Sequence, residues 1–363
     1  MLKDKQPMQN KKTLRMIKLG LFESLLDYQG LQHVPTTIKS AVIFVARHIG
    51  DTMAIYPVVR ALQAAKVNSI ILVVNPSSYA ALAPLKTEGI TLHLIDHERN
   101  KRAVIAAARK IRRTYGQVDL CVQAMMRNTT ATLLFQRTLH AHCNIGLHHC
   151  TLHMYVPEVA KQAMAMLATE APAPFCWAQL MKDAGIADVE ARFELPIPQN
   201  IERHVRAQIA PYGPYFALNM DASRAIGSLN EETAVRLIQC ISDVYGYSVI
   251  ITCSPSGEEK ARRVSQACPS AHIIAPPRSI YHSAAIIKHA TAVISPDTSI
   301  IHIASAYNRP TLGIYRTEIK AWRPLADHNT VLVTGDDINA IDPAVFARAL
   351  DEILPQNDVF TVK

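Results

Sequence analysis

Two short segments concentrate the residue types that chemistry at a ligand requires. The first, Arg47-His48-Ile49-Gly50-Asp51-Thr52 with Pro57 and Arg60 downstream, sets a cation, an imidazole and a carboxylate around one glycine. A carboxylate there can take the proton of an attacking hydroxyl, and Gly50 lets the backbone turn sharply or approach a ligand closely. Asp51 equally suits a plain helix cap. The second runs from Ser295-Pro296-Asp297-Thr298-Ser299 through His302, Ala304 and Ala306 to Pro310. A helix opening at Thr298-Ser299 would present free N–H groups and a positive dipole end, a ready site for phosphate. The two hydroxyls add hydrogen bonds to phosphate oxygens, whereas the Asp297 carboxylate is better matched to sugar hydroxyls. The same residues also read as a helix cap followed by His302 packed in a core.

Both segments sit after apolar strands. Residues 41–46 are a continuous apolar run, as in a parallel strand buried on both faces. Apolar residues at 55, 58, 59 and 62 then predict a helix over 52–66, after a turn at 47–51, and a second strand follows at 69–75. The alternation continues with helices near 77–86 and 103–115 and strands at 91–95 and 120–124. Prolines 172, 174, 196, 198, 211 and 214 break the rhythm, which places the interdomain region at 171–214. Strands at 215–219, 248–252, 272–275 and 292–295, with helices at 230–245, 258–267, 280–290 and 342–354, make a second half. Strands alternating with helices mean α/β domains on parallel sheets.

The chain has 363 residues, 49% hydrophobic and 19% charged, which suits two globular domains and excludes a disordered chain. No apolar run approaches the roughly 18 residues a transmembrane helix needs. The N-terminus is basic, and residues 14–26 look helical, but Glu23 and Asp27 interrupt the apolar run and no cleavage site follows, so the expected location is cytoplasmic. Seven cysteines without a CxxC pair suggest free thiols. His140, His142, His148, His149 and His153 with Cys143 and Cys150 are dense, but their spacing fits no metal-site pattern. The net charge of +8 favours an anionic partner. Nucleic acid is disfavoured, because no recognition motif and no basic stripe interleaved with aromatics is present. A dinucleotide-dependent oxidoreductase is disfavoured too, since no G-x-G-x-x-G follows a strand.

In order and spacing, His48-Ile49-Gly50-Asp51 with Pro57, and Asp297-Thr298-Ser299, His302, Ala304, Ala306 with Pro310, resemble the glycosyltransferase family 9 heptosyltransferases of lipopolysaccharide core assembly. One departure is Ser299, where the family usually has Gly. The resemblance implies a GT-B fold: an N-terminal extension (1–38), a Rossmann-like acceptor domain (39–205) and a Rossmann-like nucleotide-sugar domain (206–363), the last two facing a central cleft. It implies an inverting, metal-independent transfer of heptose from ADP-heptose, a substrate, with no cofactor. Asp51 would be the base. Arg47, His48 and Gly50 would serve the acceptor. Asp297, Thr298, Ser299, His302, Glu258 and Arg224 would serve the donor, with Glu259 as the alternate to Glu258 for the ribose. Adjacent glutamates at a helix start also answer its dipole, and Arg224 also reads as a solvated loop residue. The partners implied are a nucleotide-sugar donor, an anionic lipopolysaccharide core acceptor and the cytoplasmic face of the inner membrane, to which the basic residues 3–18 could dock. The rival readings are the same fold using another nucleotide sugar, and a non-catalytic relative that binds one.

Overall fold

The computed structural model describes residues 19–148, 151–275, 279–317 and 320–354. They form two compact units that divide between Ala191 and Arg192. The first unit is built on β1 (Ser40–Val45), β2 (Ser69–Val74), β3 (Thr91–Leu94), β4 (Leu120–Ala124) and β5 (Cys143–Gly146), all parallel, in the order β3-β2-β1-β4-β5. The second is built on β6 (Tyr215–Asn219), β7 (Ser248–Thr252), β8 (Ala271–His272), β9 (Ala292–Pro296), β10 (Thr311–Tyr315) and β11 (Asn329–Val333), again parallel, in the order β8-β7-β6-β9-β10-β11.

The two sheets repeat one plan. In each, the chain lays down a central strand, adds two strands outward on one side, then crosses to the other side. The order therefore reverses between β1 and β4, and again between β6 and β9. Loops leaving the carboxyl ends of those strands diverge to opposite faces and leave a crevice, the usual ligand position in an open α/β sheet. The central strands β1, β4, β6, β9 and β10 are buried along their length because helices cover both faces, whereas the edge strands β3 and β11 are partly exposed. In the first unit Val42, Phe44, Ile71 and Val73 pack with Val104, Ala108, Ile111 and Phe135. In the second, Phe216, Leu218, Val249, Ile251 and Ile294 pack with Leu237, Ile241, Phe346 and Leu350.

Two sequence expectations are corrected. The predicted turn at 47–51 is already helix from Ile49, and a second helix begins at Tyr56. Gly50 consequently lies in the first turn of a helix rather than at a sharp bend. The units divide between Ala191 and Arg192, within the expected interdomain region at 171–214, and the prolines there also start helices: Pro172 is the N-cap of Ala173–Asp183 and Pro198 that of Gln199–Ile209. Proline's fixed φ and missing N–H are tolerated at helix starts, so these prolines begin elements instead of interrupting them. The units divide ahead of the 205/206 junction because Gln199–Ile209 packs on Ile280–His289, where Glu202 accepts from Lys288 at 2.7 Å and contacts His289 at 3.1 Å.

The dense histidine run does structural work. Cys143–Gly146 is the edge strand β5, His140 stacks on Tyr28 and the His148 ring stands edge-on to Tyr155. His149 and Cys150 lie outside the described residues. Among the described residues no group of three His, Cys, Asp or Glu is placed to hold a metal ion. Beside β5 lies a buried polar network. The Tyr155 hydroxyl bonds to Gln123, accepts from Gln136 Nε2 at 2.7 Å and lies 3.3 Å from Asn128 Oδ1; Asn144 Nδ2 donates to the Tyr28 hydroxyl at 2.8 Å. Replacing one member of such a network strands buried partners. Tyr155→Phe is therefore expected to cost about 1–3 kcal/mol, measured by urea unfolding with unchanged m-value.

Candidate functional site

In the first unit the carboxyl end of β1 leads directly into the helix Ile49–Ala54, with extended His48 at its N-cap. The His48 carbonyl accepts from the Thr52 amide at 3.0 Å and from the Thr52 hydroxyl at 2.8 Å, so the strand-to-helix corner is tied down from within. Asp51 stands in the first helical turn, where the dipole favours a carboxylate. It makes no cap: among the described residues its side chain has no hydrogen-bond or ion-pair partner. Burial pushes its carboxyl above the ordinary range, against a smaller opposing pull from His48. A partly buried, unpartnered carboxylate with raised basicity at a topological switch point is suited to proton abstraction. Arg47 is exposed and ion-pairs with Glu98 at 2.6 Å, while its carbonyl accepts from Ser77 Oγ at 2.9 Å. Arg47, His48, Gly50 and Asp51 thus lie together around one corner.

The second unit's switch point is more elaborate. Thr298 is the N-cap of the helix Ser299–Ala306, its Oγ1 accepting from the Ile300 amide at 3.2 Å. Ser299 occupies the first helical position, a conformation open to any residue, so the backbone there does not demand glycine. Asp297 is exposed at the mouth, and surrounding protein still holds its carboxyl above the ordinary range by desolvation. Arg224 is exposed in the loop after β6 and has no ion-pair partner among the described residues. Glu258 opens the helix Glu258–Ala267 after β7 and pairs with Arg262 at 2.8 Å; the alternate, Glu259, pairs with Arg263 at 2.8 Å.

His302 is the exception. Its ring stacks on Phe193 with centroids 4.4 Å apart and lies 5.6 Å from the Trp322 ring. It is fully buried, Nδ1 has no hydrogen-bond partner among the described residues, and burial drives its pKa down to about 4. The His302 imidazole is thereby held neutral and fixed in orientation one turn into the helix that Thr298 caps.

Several residues that the sequence did not mark hold the site together. Asn219 ends β6, and its Nδ2 donates to the Asp221 carbonyl at 2.9 Å, to Ser295 Oγ at 3.0 Å and to Thr298 Oγ1 at 3.3 Å. One buried amide thereby ties the β6 loop, the end of β9 and the cap of the helix Ser299–Ala306. A polar residue closing an otherwise apolar strand was the available signal. Asp221 pairs with Lys260 at 3.2 Å and presses on Gly257, where an added Cβ would meet Asp221 Oδ2 at 2.0 Å. Only glycine permits that approach.

The chain matches glycosyltransferase family 9 (heptosyltransferase) over residues 188–341, which include the Asp297–His302 motif. It is 30% identical over 220 residues to the uncharacterized protein YeeL of Escherichia coli strain K12, covering 59% of this chain and 94% of YeeL. The chain belongs to glycosyltransferase family 9. Among solved structures, the family 9 glycosyl transferase from Veillonella parvula superposes with a TM-score of 0.71 at 15% identity, covering 88% of this chain and 98% of that one. E. coli heptosyltransferase WaaC, solved with ADP, gives 0.63 at 18% identity, covering 86% and 99%. The glycosyltransferase thus has the GT-B fold.

The buried imidazole gives this glycosyltransferase a measurable acid sensitivity. His302 is depressed from an ordinary value near 6.5 to about 4, so the unfolded chain binds a proton in that window and the folded chain does not. Its contribution is complete above pH 6.5 and is lost as pH falls toward 4, an effect of about 3 kcal/mol. The slope of unfolding free energy between pH 6.5 and 4 is expected to flatten in His302→Phe, measured by urea titration at each pH.

Proposed function

We propose that this glycosyltransferase moves heptose from ADP-heptose to an anionic acceptor of the lipopolysaccharide core, by inverting displacement without a metal ion, at the cytoplasmic face of the inner membrane. The observation that carries the donor part is the helix start at Thr298-Ser299, locked to the β6 loop by Asn219, with unpaired Arg224 in that same loop. Those features suit a leaving diphosphate: backbone N–H groups, hydroxyls and a guanidinium stabilise the charge that develops as the bond from the anomeric carbon to the phosphate oxygen breaks. Asp297 and Glu258 offer carboxylates to sugar and ribose hydroxyls. On the acceptor side, Asp51 takes the proton of the attacking hydroxyl as its oxygen bonds to the anomeric carbon, and ADP leaves from the opposite face. Arg47 supplies positive charge, and His48 a hydrogen-bonding imidazole, for a phosphate- or carboxylate-bearing acceptor.

Ser299 in place of the family's usual glycine supports a second reading, the same transfer from a different nucleotide sugar. Calorimetric titration of the full chain with ADP-heptose, UDP-glucose and UDP-N-acetylglucosamine separates them. Selective binding of ADP-heptose, weakened at least tenfold by Asp297→Ala, is the expected result; selective binding of a UDP-sugar would replace the donor, and no binding would point to a donor site that needs the acceptor first.

Asp51→Asn is expected to lower kcat at least ~100-fold, the usual contribution of a general base, with donor binding retained. Activity requires the ionised carboxylate, so kcat/KM should fall as pH drops through a pKa above the ordinary carboxylate range. An acid limb at the ordinary carboxylate value would remove Asp51 from that role.

A further inference from the structure

The helix at residues 19–26 is turned inside out for a surface helix. Its carboxylates face the protein: Glu23 Oε1 accepts from Asn128 Nδ2 at 2.8 Å, and just beyond the helix Asp27 accepts from the amides of Tyr28 at 2.8 Å, His153 at 2.9 Å and Met154 at 3.1 Å. Leu19 and Leu26 pack against Tyr28, Leu133, Met154 and Tyr155. Leu21 and Leu25, one turn apart, instead point outward with 68% and 74% of their surface exposed, and Phe22 lies between them at 37%. Folding alone would reward polar residues at those positions. The chain leading into this helix is strongly cationic, with Lys3, Lys5, Lys11, Lys12, Arg15 and Lys18 against a single acid, Asp4. Apolar side chains on the outer face of an anchored helix, preceded in sequence by a run of cations, match a lipid surface with anionic headgroups.

We propose that Leu21, Phe22 and Leu25 insert among the acyl chains of an anionic membrane while the adjoining lysines and arginine bind its headgroups. This deepens the membrane-docking part of the reading above, and because vesicle binding is measured without turnover, its failure is distinct from failure of the donor assignment. Each adjoining cation near an anionic surface adds attraction, and each buried apolar group adds more. A second copy of the chain is the competing occupant of the same face, yet like-charged N-termini would repel in such a pair.

The test is flotation of the full-length protein with vesicles of phosphatidylcholine alone or mixed with phosphatidylglycerol, at about 0.05 M and about 0.5 M salt, where screening differs several-fold. The expected result is binding to the anionic vesicles only, reduced by salt. The Leu21→Ser/Leu25→Ser variant should bind them at least tenfold more weakly while its thermal unfolding and nucleotide-sugar binding stay unchanged. Replacing Lys11, Lys12, Arg15 and Lys18 by Gln should weaken binding comparably without touching the leucines. The proposal is overturned if the full chain ignores anionic vesicles, if the leucine variant binds them as well as the parent, or if light scattering finds a dimer that the leucine variant converts to monomer with vesicle binding intact.

Discussion

Everything at the two candidate sites depends on where the order of a parallel sheet reverses. Two strands whose following loops run to opposite faces cannot cover each other's carboxyl ends, so side chains and helix N-termini placed there remain open to a ligand. The molecule uses that constraint twice with the same strand order, and fills the two crevices with opposite chemistry. After β1 it places a carboxylate that is hard to ionise. After β9 it places the positive end of a helix, and in the loop after β6 an exposed guanidinium with no ion-pair partner among the described residues.

The second crevice shows how much of a site is second-hand geometry. Thr298 and Ser299 can meet an anion only if the helix they open points the right way, and that direction is set by Asn219 reaching across from β6 to Ser295 and Thr298. Asn219 is itself held by the loop it caps, whose Asp221 leans on Gly257. Removing one of these contacts would leave the motif residues present and displaced.

The sequence carried the fold where side-chain pattern is strong. Continuous apolar runs such as Ala41–Ala46 are legible because a strand buried on both faces tolerates nothing else, and the two motif segments stood out because each follows such a run. Legibility failed where one residue type serves two purposes. Proline reads as a breaker, yet Pro172 and Pro198 begin helices. The dense histidine run around β5 fits no metal-site spacing, but that spacing does not foretell the roles the rings take, His140 stacking on Tyr28 and His148 meeting Tyr155 edge-on. His302 sits within the motif at helical spacing from Thr298 and Ser299, and nothing in that spacing foretells its stacking on Phe193. Contacts between residues far apart in the chain, such as Asn219 with Thr298, leave no local trace.

The fastening of the first helix has a mechanical consequence. Glu23 holds Asn128, and Tyr28 holds Asn144 on β5; Tyr155 joins Asn128 to Gln123 on β4 and to Gln136. A force applied to the outer face of that helix is therefore borne by short side-chain hydrogen bonds ending on the last two strands of the first sheet, rather than absorbed by a slack tether. Whatever grips the helix grips the sheet.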